Sequence, residues 1–245
     1  MKVKAIVFPE PNKFEIRELE LRDIEEDEIL VKSLYSGISI GTERWALTNK
    51  GGYWKYPIVP GYQNAGIVEK IGKKVTNFKE GDIVFTSYSE IPEGYFSYSG
   101  SHMSYVICKV KNDMPQKDPI KLEGEMNLKE VCLLTMATVG YNGANWKGVV
   151  SEGDSVIVIG QGLIGQMCAQ NAKIRGASKV IGLDFYDKRV EISSKYSTDL
   201  SINPKKTDLR ELFKKGVLTR AEVVVEATGI PENIYEYTWM VKYGG

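Results

Sequence analysis

The sequence predicts an α/β protein: a β-rich N-terminal domain followed by a doubly wound parallel sheet. Three observations predict it. The first 110 or so of the 245 residues carry short alternating or apolar runs broken by Gly, Pro and Asn. From residue 155 onward, apolar strands alternate with helical stretches, the pattern of a parallel sheet covered on both faces. Between the first of those strands and its helix lies Gly160-x-Gly162-x-x-Gly165.

Taken in order, the runs at 2–8, 28–35, 66–71 and 81–86 read as strands, with a Gly81-Asp82 turn before the last. From Leu128 the spacing becomes helical and places Val131, Leu134, Thr135 and Thr138 on one face. Then come a strand at 155–159, a helix at 162–175, a strand at 179–183 and a helix at 187–196. A short strand at 200–202, a helix near 207–214 and a strand at 222–226 follow. This divides the chain into domains at 1–126 and 127–245. A doubly wound sheet of this kind usually has six strands, and only four candidates precede Gly245. The expectation is therefore a fragment, with the sheet truncated after its fourth strand.

Charge and composition exclude several classes. Lys plus Arg equals Asp plus Glu at 32 each, so no net field draws nucleic acid or an anionic membrane. No apolar run is long enough for a membrane span, and the N-terminus reads as a strand rather than a signal segment. A cytoplasmic protein with a small-molecule substrate is expected. Cys108, Cys132 and Cys168 are widely spaced and form no CxxC pair, which argues against disulfides and a cysteine-built zinc site.

The glycine pattern has the context that a dinucleotide site requires. Gly160 permits a tight turn, Gly162 a close backbone approach to a pyrophosphate, and Gly165 close packing of helix on strand. Leu163 and Ile164 open a helix whose unpaired N–H groups would face the phosphates. Asp184 ends the next strand 19 residues past Gly165, where a carboxylate meets ribose hydroxyls and repels a 2′-phosphate. The cofactor expected is NAD rather than NADP.

Gly41-Thr42-Glu43, the stretch from Pro60 to Val68, Glu80-Gly81-Asp82-Ile83-Val84, the 160–165 loop and Glu226-Ala227-Thr228-Gly229 together resemble the medium-chain dehydrogenase/reductase superfamily. The resemblance implies a GroES-like substrate and catalytic domain, then a Rossmann domain for NAD. Ser36 to Glu43, Pro60-Gly61-Tyr62 and Tyr141-Asn142-Gly143 are most similar to the branch containing bacteriochlorophyllide a dehydrogenase and related alcohol dehydrogenases. It further implies that Arg189 stands beside the adenosine ribose and that Thr228 and Gly229 pass near the nicotinamide. A solvated charge at a helix start is the plainer role for Arg189.

The chain departs from the zinc-dependent members. Where they carry the first zinc-binding cysteine it has Ile40, or Ser39 with a one-residue slip; their Gly-His-Glu becomes Gly61-Tyr62-Gln63, and Thr135 or Met136 takes the third place. A catalytic zinc needs three nitrogen, sulfur or carboxylate ligands, so no metal is expected. Tyr62 is then the first candidate to donate to a substrate oxygen, or else it simply fills the space of the metal. Thr42 matches the family's proton-relaying hydroxyl, or else it holds a turn. Ser39 and Gln63 are weaker candidates for orienting substrate, and Glu43 is expected to pair with Arg44 or a neighbour. Trp45 takes the place of the family's relay histidine. His102, the only histidine, has no acidic partner nearby in sequence and reads as structural. Tyr88, Tyr95, Phe96 and Tyr98 either border a flat substrate or anchor a loop.

The expected activity is NAD-linked, zinc-independent interconversion of an alcohol and a carbonyl, in a homodimer or homotetramer. Two alternatives remain open: a quinone or enoyl reductase, and a dinucleotide-binding protein or sensor without catalysis.

Overall fold

The computed structural model describes residues 1–110 and 119–244, in two compact units, Met1–Thr135 and Met136–Gly245. The first unit opens with an antiparallel hairpin of β1 (Lys2–Val7) and β2 (Glu15–Glu20). Val3, Ala5 and Val7 are buried in β1 because successive side chains of a strand point to opposite faces. A five-stranded antiparallel sheet follows, built from β3 (Glu28–Ser36), β4 (Asn64–Ile71), β5 (Ile83–Thr86), β6 (Tyr105–Lys109) and β7 (Ile120–Lys121). Its strand order is β6-β3-β4-β5-β7. Ile29, Val31, Val68, Val84, Val106 and Ile107 form its core with the buried face of the hairpin.

Between β3 and β4 runs α1 (Ile40–Thr48), a helix that the sequence pattern does not announce. It buries only Glu43 and Ala46, so it lacks the apolar stripe by which a helix is read. Its ends are set by Ser39 in an extended conformation and Asn49 in the left-handed region.

The helix expected from Leu128 is two pieces, α2 (Leu128–Val131) and α3 (Leu134–Asn142). The buried positions are Cys132, Met136 and Gly140, not the face of Val131, Leu134, Thr135 and Thr138. Small residues decide this. A side chain at Gly140 would collide with Met167, so the helix approaches its neighbour on the side with least bulk. A single π-helical turn at Gly143–Lys147 ends the segment.

The second unit alternates β8 (Ser155–Ile159), α4 (Leu163–Ile174), β9 (Lys179–Leu183), α5 (Asp187–Tyr196), β10 (Leu200–Ile202), α6 (Leu209–Lys214), β11 (Val223–Glu226) and α7 (Glu232–Tyr237). The strands are parallel in the order β10-β9-β8-β11. Val156, Ile157, Val158 and Ile159 are all buried, as a strand covered on both faces requires. Ile157 and Ile159 pack with Ile181, Leu183, Leu218 and Met240. Val156 and Val158 pack instead with Val180 and with Cys168, Ala169 and Ala172 of α4.

Candidate functional site

In the second unit the strand order reverses direction at β8, whose neighbours are β9 on one side and β11 on the other. Ligands of open parallel sheets bind beyond the strand ends at such a switch point. Here the turn after β8 and the turn after β11 meet: a side chain at Gly160 would lie 2.9 Å from Thr228 Cγ2 and 3.0 Å from the Thr228 nitrogen. A side chain at Gly165 would overlap the Gly160 carbonyl oxygen, so the third glycine lets α4 close on the turn. A side chain at Gly162 would meet nothing within 4 Å. That open space is what a pyrophosphate against the loop needs.

The first backbone bond of α4 runs from Gln166 N–H to Gly162 C=O at 3.0 Å. The N–H groups of Leu163, Ile164 and Gly165 are thus those a helix leaves unpaired at its start, and they carry its positive dipole end. Asp184 is buried at the end of β9. Its Oδ2 accepts from Gln161 N–H and its Oδ1 from Tyr186 N–H, both at 2.8 Å. Each oxygen keeps acceptor capacity for a ribose hydroxyl. Arg189 is exposed, with Nη1 3.5 Å from Asp184 Oδ2 and its guanidinium 5.1 Å from the Tyr186 ring centre. Thr228 donates through N–H and hydroxyl to Glu226, and Gly229 N–H donates to the other Glu226 oxygen at 3.3 Å. The two residues form an exposed turn held from below by one carboxylate.

In the first unit, two residues 20 apart in sequence come together: the Tyr62 hydroxyl donates to Thr42 Oγ1 at 3.3 Å. Thr42 lies in the first turn of α1, and Tyr62 lies just before β4. Ser39, the third candidate, does not join them through its hydroxyl. It is buried at the start of α1, and its backbone N–H donates to Glu43 Oε1 at 3.0 Å. Gln63 is fully buried, its Nε2 donating to Gly37 C=O at 3.4 Å while Oε1 has no hydrogen-bond partner. Tyr98 packs against Tyr62 with ring centres 6.0 Å apart, and burial pushes its phenol well above the ordinary value.

Two readings of the first unit gain spatial detail. His102 does have an acidic partner, Glu43, which is 59 residues away in sequence and therefore invisible to local spacing. Its Nε2 lies 3.2 Å from Glu43 Oε2, off the direction of a hydrogen bond, and its Nδ1 lies 2.9 Å from Ser36 Oγ. Of the expected partners, Arg44 or a neighbour, Glu43 thus meets neighbours: it accepts from the Ser39 N–H and faces His102. The aromatic residues at 88–98 make separate contacts. Tyr88 hydrogen-bonds Glu90, Tyr95 packs on the sheet core, Phe96 is exposed beside Lys55, and Tyr98 lies between Trp54 and Tyr62 in tilted and edge-on contacts.

At the places of the zinc ligands stand Ile40 at the exposed start of α1, or Ser39, then Tyr62, and Thr135 or Met136. These are alkyl, hydroxyl, phenol and thioether groups, which do not make a catalytic zinc site. Among the described residues no group of three or more His, Cys, Asp or Glu side chains is placed to hold a metal ion.

A glycine turn between strand and helix, an acid ending the neighbouring strand and a second turn across the switch point are the features of a Rossmann-like doubly wound unit. Comparison with known proteins agrees. Residues 25–118 match the model of the alcohol dehydrogenase GroES-like domain, and residues 164–245 match that of the zinc-binding dehydrogenases. An S-(hydroxymethyl)glutathione dehydrogenase of Escherichia coli O6:H1 is 28% identical, over 85% of this chain and 66% of its own length. The benzyl alcohol dehydrogenase of Acinetobacter calcoaceticus superposes with a TM-score of 0.83 at 22% identity, covering 98% of this chain and 74% of that one. An alcohol dehydrogenase of Escherichia coli CFT073 in complex with NADH gives 0.81 at 22%, covering 98% and 73%. The chain spans just under two thirds of the length of the curated relatives it matches. It belongs to the medium-chain dehydrogenase/reductase superfamily, with a GroES-like first domain and a Rossmann-like second.

Proposed function

We propose that the chain is an NAD-linked, zinc-independent oxidoreductase that interconverts an alcohol and a carbonyl by hydride transfer. The observation that carries the reading is Asp184, a buried carboxylate tied to the glycine turn beside the switch point. A fixed negative charge there accepts ribose hydroxyls and repels a 2′-phosphate. In this reading Gly160, Gly162, Leu163, Ile164 and Gly165 cradle the pyrophosphate, Arg189 flanks the adenosine ribose, and Thr228 and Gly229 lie along the nicotinamide half. NAD, when bound, supplies the hydride acceptor. The family's zinc-binding name does not decide the metal, and the donor set at the corresponding positions argues against it.

Residues 1–126 then hold the substrate and 127–245 the cofactor. Tyr62 accepts a hydrogen bond from the substrate hydroxyl; as the alcohol is oxidised it takes up that proton while passing its own phenol proton to Thr42 Oγ1, whose hydroxyl proton passes on to water. Thr42 accepts from Tyr62 and orients it, and Ser39 fixes the start of α1 beneath both. A small-molecule substrate, self-association as a homodimer or homotetramer and a cytoplasmic setting belong to the same proposal.

The test is titration of the protein with NADH and NADPH by fluorescence, then turnover on a panel of alcohols and on a quinone, before and after dialysis against a chelator. Tighter NADH binding with alcohol turnover that survives chelation is expected. Preference for NADPH with quinone reduction would establish the reductase alternative. Binding without any turnover would leave a dinucleotide sensor, and loss of turnover on chelation would overturn the zinc-independent mechanism.

A further inference from the structure

His102 is the one histidine of the chain, and it is buried together with the carboxylate it faces. Its imidazole spans two elements. Nδ1 meets Ser36 Oγ at the exposed end of β3, and Nε2 faces Glu43 on α1. Glu43 Oε1 is held in turn by the Ser39 N–H that begins the helix. The carboxylate next to Thr42 is therefore hydrogen-bonded on one side and faced by the imidazole on the other.

The same residue also braces the segment that carries Tyr62. His102 N–H donates to Pro60 C=O at 3.0 Å, and Ser101 N–H donates to Gly61 C=O at 2.9 Å. His102 lies against Gly61, where a side chain would come within 2.6 Å of His102 Cγ and 2.7 Å of its backbone nitrogen. Gly61 has a φ of +100°, a conformation that side-chain-bearing residues rarely adopt. The backbone immediately before Tyr62 is thus shaped around the histidine ring.

From these contacts we infer that His102 is a positioning residue for the Tyr62–Thr42 hydroxyl pair. It acts on Thr42 through Glu43 and on Tyr62 through Pro60 and Gly61. It touches neither hydroxyl itself. The inference rests on the proposed role of Tyr62, so its test includes a readout that needs no turnover.

Tyrosine labelled with ¹³C at Cζ gives that readout, the Tyr62 signal being assigned by its loss in Tyr62→Phe. The signal is expected to move in His102→Leu and in Glu43→Gln. It should return toward its original position in His102→Gln, whose amide nitrogen can take the place of Nε2. In the same variants kcat on an alcohol substrate should fall roughly 10–100-fold for His102→Leu, with NADH affinity unchanged and substantial rescue by His102→Gln. Where His102→Leu fails to fold, Glu43→Gln carries the same test. A Tyr62 signal unmoved by Glu43→Gln overturns the inference, and so does a kcat that stays at the wild-type value while the signal moves. A signal that moves as expected in a protein that oxidises no alcohol supports the positioning role and refutes the proposed activity instead.

Discussion

Asp184 Oδ2 accepts the backbone N–H of Gln161 at 2.8 Å, so the acid at the end of β9 ties down the glycine turn after β8. One carboxylate therefore orders the turn and presents the negative charge that the cofactor ribose would meet. Asp184→Asn keeps an acceptor but removes the charge, which should weaken NADH binding about tenfold and narrow the gap to NADPH. Fluorescence titration with both dinucleotides measures this. An unchanged ratio of the two affinities would remove Asp184 from cofactor choice.

The glycines of that turn separate folding from binding. Gly165→Ala places a methyl group on the Gly160 carbonyl oxygen and should cost about 1–3 kcal/mol as α4 is pushed off β8. Gly162→Ala meets open space in the protein, so its thermal unfolding should change little while NADH affinity drops about tenfold or more. Melting curves and NADH titrations on the pair check both halves.

The second unit was legible because its core strands carry near-continuous apolar runs. The strands expected at 155–159, 179–183 and 200–202 match β8, β9 and β10 residue for residue. α1 was not, since a helix that buries only Glu43 and Ala46 has no apolar period to detect. Tyr62 and Thr42 were each legible as candidates from the family resemblance, but their hydrogen bond, across 20 residues of sequence, was not. The Glu43, His102 and Ser36 arrangement could not be read from any window of sequence. It exists because β3 pairs with β6, which brings the residues just before β6 beside the end of β3. The available signal was a lone histidine in a chain otherwise rich in charged surface groups.

Tyr62→Phe removes the phenol that donates to Thr42 Oγ1 and should lower kcat about 10²–10⁴-fold if Tyr62 is the acid-base group. Thr42→Ala leaves the phenol without its acceptor and should cost less, about tenfold. Steady-state kinetics at saturating NAD distinguish the two. Equal activity of Tyr62→Phe and wild type would reduce Tyr62 to a residue that fills space.

Glu28 is a carboxylate at 1% exposure, held by Arg22 Nη1 and Nη2 and by Glu25 N–H, each at 2.7 Å. Burial pushes its pKa up, but these three bonds together outweigh it and hold the group below the usual carboxylate value. Arg22→Leu strands the charge and should destabilise the first unit by about 2–4 kcal/mol, the partial exposure of Arg22 keeping the cost below that of a fully buried pair. The double variant Arg22→Leu with Glu28→Leu should recover part of that loss. Urea unfolding of the three proteins tests it, and a double variant less stable than Arg22→Leu would contradict it.

Glu222 gives the second unit a pH dependence of known sign. Lys242 and then the Ser155 N–H and hydroxyl bind its carboxylate, and they lower its pKa from 4.5 to about 2. A carboxyl group with a depressed folded-state value adds stability above its unfolded value. That stability drains away as pH falls from about 4.5 toward 2. Ser155 opens β8 and Glu222 directly precedes β11, so protonation loosens the join between the two strands at the end opposite the glycine turn. In Glu222→Gln the contribution is absent at every pH. The urea midpoint of the wild type should therefore exceed that of Glu222→Gln at about pH 7, the gap should narrow steadily below about pH 4.5, and the two should converge only below about pH 2. A constant difference between them across that range would show that the Glu222 carboxylate is not bound by Lys242 and Ser155 in the folded protein.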